Sequence, residues 1–68
     1  MERTYILIEL VGISEKSYEE AIQNAVKKAS QTLHGLSWFE VMEFRGSISD
    51  NHVAEFQAKV KVAFKLEK

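Results

Sequence analysis

The spacing of apolar and polar positions changes period twice along the chain. In "TYILIELV", residues 4–11, Ile6, Ile8 and Leu10 fall on one face of a strand, and Tyr5, Leu7, Glu9 and Val11 fall on the other. Both faces are more apolar than a half-solvated strand requires, and Gly12 reads as the end of the strand. From Tyr18 the period becomes helical. Tyr18, Ile22, Ala25, Val26, Ala29 and Leu33 form one apolar stripe. Ser17 and Glu20 have the spacing of a capping box, Glu19 and Glu20 suit the positive end of a helix dipole, and Lys27 and Lys28 lie in the half that favours cations. Gly35, preceded by His34, reads as a C-cap, so the spacing predicts a helix from Tyr18 to Leu33.

The period then returns to two. Residues 36–48 and 52–67 read as strands joined by "SDNH", in which Asp50 and Asn51 tolerate turn conformations. The last strand alternates, with Ala54, Phe56, Ala58, Val60, Val62, Phe64 and Leu66 on one side. Glu55, Gln57, Lys59, Lys61, Lys65 and Glu67 take the other side, with Ala63 as the apolar exception. The preceding strand breaks its own alternation: Phe39 and Val41 have odd parity, Met42 and Phe44 even. This predicts a bulge near Val41 and Met42, with Gly46 as a site for another. If the two strands pair around a turn near residue 50, partner numbers sum to about 100 or 101. Residue 44 and Arg45 then lie near Gln57, and Trp38 lies near 62 or 63. Trp38 and Gln57 therefore fall at opposite ends of one hairpin; a single copy of the chain need not bring them together, whereas a site shared between copies could. The predicted order is strand, helix, strand, strand. One helix covers one face of the sheet, leaving an open face and two strand edges for partners or ligands.

Size changes the picture. At 68 residues the chain reads as one domain, residues 1–68. A domain this short buries only about 60% of its unfolded surface, so extra stabilisation is expected. With no cysteine there is no disulfide or thiolate metal site, and two histidines make a structural zinc site a poor fit. Self-association is the remaining route. Nine basic residues against ten acidic ones, net charge -1, give no electrostatic case for nucleic acid. No apolar run spans a membrane, and the N-terminus has no small-residue cleavage site, so a soluble, cytoplasmic protein is expected.

Catalytic chemistry is poorly represented. His34 and His52 stand alone, and there is no Gly-x-Ser-x-Gly elbow, Gly-x-Gly-x-x-Gly or P-loop. Glu40 and Glu43, three apart in a strand, are expected on opposite faces. Trp38 and Phe39, adjacent in a strand, must also point to opposite faces. From spacing alone Trp38 reads first as an interface tryptophan and second as a platform for a flat aromatic ligand. Gln57, on the polar face, carries a donor and an acceptor suited to a heterocycle edge. Arg45 and Lys65 read as solvated cations or as a phosphate contact.

The stretches "ELVGISEKSYEEAIQNAVKKASQTL", "WFEVMEFRG" and "VAEFQAKVKVAFKLE" together resemble the dodecins, small flavin-binding proteins, over nearly the whole chain. The resemblance implies an α+β fold, a three-stranded antiparallel sheet wrapped around one helix, and a hollow homododecamer. It implies that Trp38 stacks on an isoalloxazine ring while Phe39 enters the core, and that Gln57 pairs with the flavin pyrimidine edge. Arg45 matches a position that is arginine in many bacterial members and acidic in the archaeal type, which points to FMN, with riboflavin and FAD as alternatives. Lys65 stands where many bacterial members carry arginine, keeping the charge but not the planar fork. Some bacterial relatives also bind coenzyme A, for which Arg3 and Lys28 are the candidate carriers here. The implied role is non-enzymatic storage of flavin and protection from its photochemistry. The alternative is an oligomeric structural or interaction module without a flavin, with coenzyme A as its candidate ligand.

Overall fold

The computed structural model describes residues 2–66. Its elements are β1 (Tyr5–Ser14), α1 (Tyr18–Ser30), β2 (Leu36–Ser49) and β3 (His52–Lys65). The β-α-β-β order predicted from periodicity is the one observed. The sheet is antiparallel with strand order β1-β3-β2, so the last strand in sequence is the middle one in space. β1 and β2 flank β3 and run parallel to each other, with α1 as the crossover between them. The predicted extension of β3 to residue 67 lies outside the described residues; among those described, β3 ends at Lys65. No helix among the described residues is long and apolar enough to cross a membrane.

Three local expectations are corrected. β1 does not stop at Gly12 but continues to Ser14. Gly12 is needed inside the strand because α1 packs directly on it: a Cβ there would meet the Ala21 carbonyl oxygen and lie 2.9 Å from the Ala25 Cβ. The helix ends at Ser30 rather than Leu33. Its last turn tightens, with the Gln31 N–H donating to the Lys28 carbonyl and the Ser30 hydroxyl donating to the Lys27 carbonyl. Gly35 is therefore not the cap. Its φ of 75° turns the chain into β2, and its carbonyl accepts the Lys65 N–H at 3.1 Å.

The helix start follows the predicted chemistry in half. Ser17 is the N-cap, and its hydroxyl accepts the Glu20 N–H at 3.0 Å. The return arm is different. The Glu20 carboxylate accepts from the Ser14 hydroxyl, whose oxygen in turn accepts the N–H groups of Lys16 and Ser17. Ser14, buried at the end of β1, thus joins strand and helix in one small network.

The core is made of small side chains. Ala21 and Ala25 of α1 pack on Ala58 and Val60 of β3, with Leu10 and Ile22 at the margin. Among the described residues, no fully buried side chain is larger than valine. The buried helix stripe is Ala21, Ala25 and Ala29, so burial centres one row away from the larger residues of the predicted stripe. Alanines let the helix lie close to Gly12 and Ala58, and the bulkier side chains are displaced to the flanks. Tyr18 is one of these; its ring lies 4.8 Å from that of Phe44 and 5.0 Å from that of Phe56.

The hairpin register decides which side chains share a face. Asp50 and Asn51 both have positive φ, giving a tight two-residue turn in which Ser49 pairs with His52. Register shifts occur between Leu36 and Trp38, Val41 and Glu43, and Ser47 and Ile48. The second is the predicted bulge at Met42, and the third lies beside Gly46. The Met42 bulge overturns the expectation for the two acidic residues. Glu40 pairs with Lys61 and Glu43 with Lys59, so both carboxylates project from the same face. One extra residue in the strand reverses the parity of everything beyond it.

Phe39 requires the remaining correction. It pairs with Val62 and so points to the helix side, opposite to Trp38, as adjacency demands. It does not enter the core of its own chain, where it is 47% exposed. The reason is the strand order: α1 covers β1 and β3 and barely reaches β2. Phe39 instead borders a recess beside Ile22, Gln23 and Val26, while Val41, Phe44, Ile48 and Val53 are also exposed. The molecule measures 52 × 20 × 13 Å, and its radius of gyration of 13.9 Å exceeds the value of about 11 Å for a compact chain of this length.

Candidate functional site on the open face

The face away from α1 carries three parallel rows of side chains. Tyr5, Leu7, Glu9 and Val11 come from β1; Gln57, Lys59, Lys61, Ala63 and Lys65 from β3; Trp38, Glu40, Glu43 and Arg45 from β2. Two clusters with ligand-binding chemistry lie at opposite ends.

The first is built around Trp38, which pairs with Ala63, one of the two positions the register arithmetic left open. Ala63 also pairs with Leu7 on its other side and is fully buried, although its neighbours on this face are lysines. Its small side chain explains the exception noted in the alternation. The rings of Tyr5 and Trp38, from strands on either side of β3, meet across it with centroids 4.8 Å apart and planes tilted by 56°. The Trp38 Nε1–H donates to Glu40 Oε2 at 3.0 Å. The indole is nonetheless 44% exposed. Arg3 lies at this end, its guanidinium carbon 5.9 Å from the Tyr5 ring centre. Lys65, which pairs with Tyr5, is exposed here too.

The second cluster surrounds Gln57, which pairs with Arg45. The Arg45 Nε–H donates to Gln57 Oε1 at 2.9 Å, and Gln57 Nε2 donates to Glu55 Oε1 at 3.1 Å. The Ser47 hydroxyl donates to the same Glu55 oxygen at 3.3 Å. The amide is held at both ends, yet its oxygen keeps one accepting position and its nitrogen one hydrogen. Arg45 therefore contacts Gln57 itself rather than standing alone as a cation.

Within one chain these clusters do not combine. Gln57 and Ala63 are six residues apart on β3, which is roughly 20 Å of strand. Arg45 and Lys65 are further apart still, on the two sides of that span. Lys28 lies elsewhere, on the helix, bordering a recess with Leu10, Asn24 and Thr32 that does not include Arg3. The sequence had not marked Tyr5 or Glu40 as partners of Trp38. The parity of Trp38 and Glu40 on one strand was the available signal for Glu40; Tyr5 had none, because its approach depends on β3 lying between β1 and β2.

The family model described as Dodecin matches residues 4–67. The chain belongs to the dodecin family. It is 48% identical over 67 residues to a dodecin from Thermus thermophilus, covering 98% of this chain and 97% of that one. The solved structure of a dodecin from Streptomyces davaonensis superposes with a TM-score of 0.94 at 43% identity, covering 100% of both chains. A more distant relative, the calcium dodecin of Mycobacterium tuberculosis, described with a calcium-binding site, is 25% identical with a TM-score of 0.84, covering 94% of this chain and 91% of that one. Among the described residues here, no group of three or more histidine, aspartate or glutamate side chains is placed to hold a metal ion.

Proposed function

We propose that this chain is a non-enzymatic, cytoplasmic flavin-binding protein that stores FMN or riboflavin at the interfaces of a homododecamer and so limits the photochemistry of the free flavin. The observation that carries this reading is the state of Trp38. A large apolar ring, half exposed, is held by a hydrogen bond and an aromatic neighbour on the face that the helix leaves open. A flat polarisable ring such as isoalloxazine stacks on indole with a gain of about 1–3 kcal/mol, taking aromatic stacking on bases as the guide. Gln57 from another copy supplies the donor and acceptor for the flavin edge. Self-assembly is favoured by the small core, the elongated chain and the apolar side chains of β2 left uncovered.

The test is a fluorescence titration beside a native mass. Micromolar protein is expected to quench riboflavin and FMN emission, and to run as a particle of twelve chain masses. A particle of that size with no quenching would favour the interaction-module alternative.

The two cations are expected to behave differently. Lys65→Ala should weaken FMN about threefold, in the range of an exposed charge pair, and leave riboflavin, which has no phosphate, unchanged. Arg45→Ala should weaken both flavins, because its Nε–H holds the Gln57 amide oxygen. Calorimetry with the two ligands separates these outcomes, and equal losses of FMN and riboflavin in the Lys65 variant would contradict a phosphate contact.

A further inference from the structure

An aromatic side chain that is 44% exposed on a strand has several rotamers open to it. Trp38 is restrained from two directions instead. Tyr5 flanks its ring across β3. Glu40, two residues along the same face of β2, accepts its indole N–H at 3.0 Å. These contacts do different things. The ring–ring contact limits tilt, whereas the hydrogen bond fixes which edge of the indole faces along the strand and so sets rotation about the last side-chain torsion. Lys61, directly opposite Glu40, places a cation on the same row, and Glu9 pairs with Lys61 on its far side.

We infer that Glu40 is a positioning residue for the ligand platform: its carboxylate locks the indole in the orientation on which a flavin stacks. This rests on the reading that a flavin binds at Trp38. A free ring would have to be immobilised on binding, and restraining it beforehand removes that cost from the affinity. The negative charge strengthens the hold, since a carboxylate accepts a hydrogen bond more strongly than a neutral oxygen. Glutamine at the same position keeps an acceptor and loses the charge; alanine loses both.

Trp38 is the only tryptophan, so intrinsic fluorescence reports this ring alone. The experiment compares the assembled wild-type protein with Glu40→Ala and Glu40→Gln. Time-resolved anisotropy of ligand-free protein measures the swing of the indole, and riboflavin titration measures affinity without a phosphate. In Glu40→Ala the fast depolarising component should grow about twofold and the riboflavin Kd rise about tenfold. Glu40→Gln should recover most of both. An unchanged anisotropy in Glu40→Ala overturns the inference whatever happens to the Kd, because a carboxylate acting only through charge or assembly would not free the ring. Wild-type protein that binds no riboflavin sinks the flavin reading instead, and the anisotropy of the three proteins still decides whether Glu40 holds Trp38.

Discussion

Replacing Trp38 with alanine is expected to raise the riboflavin Kd about a hundredfold and to abolish quenching at micromolar concentrations. The magnitude follows from the upper end of aromatic stacking, about 3 kcal/mol, lost outright when no ring remains. The fold should survive. Trp38 sits outside the alanine–valine core, and its side-chain contacts, with Glu40 and Tyr5, are on the open face. Melting temperature and native mass close to wild type would separate a lost ligand contact from a lost structure. Trp38→Phe gives an intermediate case. It retains a stacking face but removes the N–H, so affinity should fall part of the way and should no longer respond to substitution of Glu40. Flavin affinity unchanged by Trp38→Ala would remove the stacking claim.

The second large effect concerns stability, and its site was not visible as such in the sequence. Gly12→Ala is expected to destabilise the protein by about 3 kcal/mol, the upper part of the range for overpacked cores. The new methyl group would collide with the Ala21 carbonyl oxygen and crowd the Ala25 Cβ. Both belong to the helix, and the carbonyl is backbone, so no rotamer change relieves the contact. The helix must lift from β1, which opens the packing of Ala21 and Ala25 on Ala58 and Val60. A loss of this size is a large fraction of the stability of any small domain. Denaturant titration of the assembled protein measures it, and a variant as stable as wild type would mean that α1 does not approach β1 so closely. By contrast, alanine at Gly35 meets nothing nearer than 3.7 Å but carries a positive φ, so its cost is conformational rather than steric.

What could be read from the sequence shares one property: each signal acts over a few residues. The order of elements came from a change of period. The helix start came from Ser17 and Glu20, whose backbone contact forms within one turn. The hairpin came from Asp50 and Asn51, which tolerate the left-handed conformation both adopt. Parity conflict around Val41 and Met42 announced the bulge, and register arithmetic placed residue 44 and Arg45 near Gln57 and Trp38 near 62 or 63, of which the structure selects Arg45 and Ala63. What only the tertiary structure decided involves segments far apart in the chain. No local pattern states that β3 inserts between β1 and β2, yet that placement lets Tyr5 meet Trp38 and buries Ala63 beneath them. The same order seats the helix on β1 and β3, so Phe39 points the predicted way and still finds no core to enter. Glu40 and Glu43 were assigned to opposite faces by counting residues, and the bulge put them on one. Side-chain direction along a strand follows from sequence parity, whereas what a side chain meets there depends on long-range packing, which parity does not specify.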